Sequence, residues 1–120
     1  MPYQSELQTQ FSAIACQAIG GSNALTVAGA GTTQATATAL AAVNNLVTTG
    51  ANNSGVILPS GKSPFDQCNV GNTVGNNICV YPPVGGNLNG QATNAPCIMA
   101  ANSVQTFYAV SNLNWLADSI

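Results

Sequence analysis

Along this chain the spacing of apolar residues changes once, near residue 21. Before it, Leu7, Phe11, Ile14 and Ala18 recur at three- and four-residue steps, which places them on one stripe of a helix. Ser5 followed by Gln8 has the spacing of a capping box, and Gly20-Gly21 is a suitable stop. This stripe has two readings: it covers the chain's own domain, or it docks on a neighbouring subunit. After Gly21 the helical period gives way to short apolar runs separated by Gly, Asn and Pro. Residues 23–28 read as a first strand and 28–31 as a turn or flexible joint. Residues 32–49, TTQATATALAAVNNLVTT, carry both periods. Thr36 and Thr38 alternate with Ala35, Ala37 and Ala39 as in a strand, whereas the alanines of 35–46 favour a helix on propensity. The threonines and the Val47-Thr48-Thr49 ending favour two strands joined at 41–44.

Further on, 56–58 is a short strand stopped by Pro59, and 60–64 is a turn holding Lys62. Residues 67–70 and 78–81 read as a hairpin around 71–77. Pro82-Pro83, which cannot donate ladder hydrogen bonds, ends its second strand. Residues 88–89, 95–99, 103–110 and 114–117 supply the remaining strands. In 103–110, Val104, Thr106, Tyr108 and Val110 share one face, and Gln105, Phe107 and Ala109 the other. Apolar groups on both faces suit a strand with the core on one side and a second contact on the other. No internal repeat stands out. The expected fold is mainly β: a single β-sandwich or jelly-roll domain over residues 23–120, preceded by a helical or extended arm over 1–22.

Composition changes the picture of the surface. Only 3 % of the 120 residues are charged, where about 25 % is ordinary. The inventory is Glu6, Lys62, Asp66 and Asp118, with no His and no Arg. Polarity comes from Asn, Thr, Ser and Gln, which suits a subunit packed against other subunits rather than one kept apart by charge. One lysine cannot neutralise several phosphates, so a nucleic-acid partner is not expected. No apolar run approaches the ~20 residues of a membrane helix. The first residues lack the basic and apolar regions of a secretory signal.

The candidate chemistry is sparse. Acid–base catalysis draws on His or paired carboxylates, and the carboxylates here are far apart in sequence, with Asp66 and Asp118 the pair that a fold would have to bring together. Cys16, Cys68, Cys79 and Cys97 include no CxxC pair and do not match the spacing of zinc knuckles. A hairpin with a six-residue loop would set Cys68 across from Cys79, and a five-residue loop would put them on opposite faces. Small buried thiols are the preferred reading over bridges. These residues lead to a non-enzymatic protein with no cofactor, no metal and no small-molecule substrate.

Several motifs carry a family resemblance. They are GTTQATATAL at 31–40, LVTT at 46–49, GVILPSG at 55–61, NVGNTVGNNICVYPPVGGNLNG at 69–90 and MAANSVQTFYAVSNLNW at 99–115. In this order they resemble phage-encoded virion structural modules of the capsid decoration (cement) and head-fibre type. The resemblance implies a small β-sandwich or jelly-roll protein on the capsid surface, made in the host cytoplasm and assembled as a homotrimer where capsomers meet. Its implied partner is the major capsid protein. The alternative within the same resemblance is a head- or tail-fibre or spike module that binds a host receptor or glycan. The family supplies no catalytic residues. Leu7, Phe11, Ile14, Tyr81, Pro82, Phe107, Tyr108 and Trp115 are the expected subunit or capsid contacts.

Overall fold

The computed structural model describes residues 22–117. The proposed helix with Leu7, Phe11 and Ile14, together with Cys16 and Asp118, lies outside the described residues. Strands β1 (Asn23–Ala28), β2 (Thr38–Ala39), β3 (Asn44–Thr49), β4 (Ser54–Ile57), β5 (Gln67–Asn72) and β6 (Ile78–Tyr81) come first. They are followed by β7 (Cys97–Met99), β8 (Ser103–Ala109) and β9 (Trp115–Ala117). A single 3-10 turn, Gln34–Thr36, precedes β2. The domain is thus mainly β, and its two sheets have orders β1-β3-β5-β8-β9 and β2-β4-β6-β7.

Through β6 the chain alternates between the two sheets, and each strand lies parallel to the one a full circuit earlier. The sandwich is therefore wound as a flattened coil, each circuit stacking on the last. Then the direction reverses. β7 pairs antiparallel with β6, β8 with β5, and β9 with β8.

This winding corrects two expectations. The segments read as a hairpin, 67–70 and 78–81, lie in different sheets, so Cys68 and Cys79 are not cross-strand partners. A structural repeat is present where none stood out in sequence: Val56 is in register with Val80 and Ile57 with Tyr81, which sets GVILP over CVYPP. The mixed segment 32–49 resolves as a 3-10 turn, a two-residue strand and β3, with Ala35 in the turn, Ala39 in the short strand and Ala41 and Ala42 at the corner before β3.

Stacking is recorded by an amide ladder on the outer face of the larger sheet. Asn69 Nδ2 donates to Asn44 Oδ1 (2.7 Å), and Asn44 Nδ2 donates to Asn23 Oδ1 (2.9 Å). The same residues are register partners in the backbone. An amide suits this position because it offers both a donor and an acceptor, so each circuit satisfies the next. A one-residue slip would break every rung and turn Asn45 and Val70 outward.

Between the sheets lie Val47, Val56, Val70, Ile78, Val80, Leu88, Phe107 and Trp115, all fully buried. Each is worth about 1.5–3 kcal/mol relative to an exposed position. The double proline and Gly85-Gly86 turn the chain under this core. Gly86 N–H donates to Pro83 O (2.8 Å), and a Cβ on Gly86 would lie 1.8 Å from Leu113 O, so only glycine fits. Residues 87–89 then run beside β9: Trp115 N–H donates to Asn87 O (3.0 Å) and Asn89 N–H to Trp115 O (2.9 Å).

The two faces of β8 should respond very differently to truncation. Phe107→Ala, at a fully buried site, is expected to cost about 3–5 kcal/mol in chemical denaturation. Val104→Ala, at a site 76 % exposed, is expected to stay within about 0.5 kcal/mol of wild type.

Candidate functional site

Period-two alternation in β3, β5, β8 and β9 sends every second side chain out from the larger sheet. There the Asn rungs lie beside an apolar row in which Leu46 is in register with Gly71, and Gly71 with Val104. A Cβ on Gly71 would stand 3.0 Å from Leu46 Cδ1, so the leucine lies across the glycine. A further row joins Gln67, Tyr108 and Leu116. Leu25, Val104, Val110 and Leu116 are exposed large apolar groups. The charged side chains among the described residues are Lys62 and Asp66, both in the turn leading to β5. The face itself carries only amide, hydroxyl and hydrocarbon groups.

The expected contact residues are distributed unevenly about this face. Tyr108 is half-buried and outward, where an interface residue would stand. Phe107 and Trp115 are in the core, with Trp115 Nε1–H donating to Pro59 O (3.3 Å). Tyr81 is buried on the outer side of the smaller sheet, and its hydroxyl donates to Thr32 O (3.1 Å). Pro82 is fully buried, and its carbonyl accepts from Gln34 Nε2 (2.8 Å). These four serve the chain's own packing. Leu25, Leu46, Val104 and Leu116, which sequence reasoning did not single out, form the outward apolar set instead. The alternation in 103–110 was the signal for Val104, but it does not say which face is covered.

The described cysteines, Cys68, Cys79 and Cys97, are free and buried. Burial pushes the Cys68 thiol up to about 12, against the opposing influence of the Lys62 charge and the Asn45 amide. Burial raises Cys79 as well, and raises Cys97 with a further contribution from Cys79. Thiols held neutral in this way are poor nucleophiles and poor metal ligands at neutral pH. Among the described residues no three Cys, Asp or Glu side chains converge as a metal-binding group. Asn45 serves the interior: its Nδ2 donates to Ala42 O (2.8 Å), Asn69 O (3.3 Å) and Cys68 Sγ (3.4 Å).

Comparison with known proteins gives no match, either to a family model or to a curated protein. The geometry therefore stands by itself: a charge-free, partly apolar sheet face on a coil whose described thiols are buried.

The thiols make stability depend on alkaline pH. An unfolded thiol ionises near pH ~8.5, so above that value the unfolded chain binds fewer protons than the fold. Stability is expected to be level below this point and to fall as pH rises towards the folded Cys68 value of about 12. Urea melts between about pH 7 and 11 should show this loss, with a shallower slope in Cys68→Ala than in wild type.

Proposed function

We propose that this chain is a non-enzymatic structural protein that decorates and stabilises an assembled phage capsid, as a homotrimer bound to the major capsid protein where capsomers meet. The observation that carries this reading is the outer face of the larger sheet, which is charge-free and holds Leu25, Val104 and Leu116 in the open. Apolar area on a rigid support, rimmed by amides and hydroxyls, suits a permanent contact with another protein. Such a contact is little affected by salt, because no ion pairs are involved. The motif resemblance supplies the kind of particle. The mechanism is mechanical: area buried between the module and adjacent capsomers must be re-exposed before the shell can open, which raises its resistance to heat and to internal pressure.

A second reading, a fibre or spike module that binds a receptor or glycan, is favoured by the winding itself. Stacked parallel circuits are a way of building elongated shafts.

Binding of purified protein to empty expanded shells, with calorimetry of shell disruption, tests the first reading. Wild type should bind and raise the disruption temperature, while Val104→Asp with Leu116→Asp should remain folded and do neither. Equal binding by the doubly charged variant would contradict the role given to this face. Block of phage adsorption by soluble protein, with no shell binding, would establish the second reading instead.

A further inference from the structure

The connection between β4 and β5 holds a residue that the backbone does not favour. Ser63-Pro64-Phe65-Asp66 closes on itself: Asp66 N–H donates to Ser63 O (3.1 Å), and Ser63 N–H donates to Asp66 Oδ2 (2.9 Å). Pro64 sits at the second position of this turn, and Phe65 at the third has φ +70°. With proline before it, a left-handed third position is ordinarily glycine or asparagine. The next contacts repeat the same demand. Phe65 N–H donates to Ala109 O (2.8 Å), and Ala109 N–H donates to Asp66 O (2.8 Å), so two residues oppose one in a bulge whose left-handed residue is usually glycine.

Core packing would explain a phenylalanine held in this way. The ring has none, because Phe65 is 85 % exposed. The chain thus holds a large apolar group outward on a braced turn, at a cost in backbone energy that no contact of its own offsets.

A socket for such a group exists on the same molecule. Where successive circuits turn out of the smaller sheet, an open cleft of about 390 Å³ is lined by Ile57, Pro59, Pro83, Val84 and Leu113, with Ser60 beside them. Pro59 and Pro83 follow the register pair Ile57 and Tyr81, so they occupy the same corner of two successive circuits. No charged side chain lines the cleft. An apolar cavity of ~150 Å³ already accepts benzene, so an aromatic ring fits with room for the corner of its turn.

We propose that Phe65 of one copy seats in this cleft of a second copy, so that the protein self-associates through an aromatic anchor and an apolar socket. Both halves are present on every chain, and the socket is mostly hydrocarbon, with the Ser60 hydroxyl at its edge the one polar side chain. Anchor and socket are different patches, so the contact would run on as an open chain unless it closes; the proposal is of a closed form, a reciprocal pair or a small ring. The contact belongs to the isolated protein and holds whatever particle the protein attaches to. Its test therefore uses no shells, and its failure is separate from failure of capsid binding.

Sedimentation of the purified full chain reads the outcome, with circular dichroism to confirm the fold. Wild type should be a dimer or trimer. Phe65→Gly, which gives the turn the residue its backbone favours, should be folded and monomeric. Val84→Asp, which sets a carboxylate on the socket rim, should also be monomeric and serves if the first variant fails to fold. The two variants mixed should bind each other, because one retains the socket and the other the anchor. A monomeric wild type, continued association of Phe65→Gly, or no mutual binding of the two variants at high concentration would overturn the proposal.

Discussion

The domain depends on circuits of chain stacking in register, and the amides of Asn23, Asn44 and Asn69 hold that register where it is most easily lost. Parallel strands are usually buried on both faces, since the crossovers that join them cover the sheet. Here each crossover is itself a strand of the opposite sheet. The inner faces share one core; the outer face of the larger sheet is left open, whereas the 3-10 turn and its approach lie over Tyr81 on the outer side of the smaller sheet. A slip would exchange core valines for outward amides, so the ladder and the core enforce the same alignment. The antiparallel strands β7, β8 and β9 then close one end of the stack and bring Phe107 and Trp115 over the core.

Much of the strand content was legible because its signals are local. The alternation in 103–110 placed Gln105, Phe107 and Ala109 on one face, and they are the buried ones. Pro59 and the double proline marked strand ends for a simple reason, the missing N–H. Pairing was not legible, because it is not local. The short polar link between β5 and β6 has the length and composition of a hairpin loop, yet it carries the chain across to the other sheet. The repeat was present in GVILP and CVYPP, but the circuits differ in length, and the first is built from alanine and threonine. Only the stacked positions are alike.

The surface was partly legible. With Lys62 and Asp66 the charged side chains among the described residues, the sheet face is without ions, and Tyr108 is the one expected aromatic that stands on it. Phe107, Tyr81 and Trp115 are large enough to be drawn into the chain's own packing, and they are. The outward apolar groups are aliphatic, apart from Phe65, whose position shows only once the backbone of its turn is known. A sequence signal existed there too: Pro followed by a bulky residue and Asp, where a turn would ordinarily have glycine. Strain at Phe65 and exposure at Val104 are features that folding alone does not require, which is why both enter the proposals of contact with other chains.

Cross-strand nuclear Overhauser contacts in the isolated protein test the winding most directly. The account predicts backbone contacts between Asn44 and Asn69 and between Val56 and Val80, in the pattern of parallel strands. Contacts pairing Cys68 with Cys79 in an antiparallel hairpin, with none between Val56 and Val80, would contradict it.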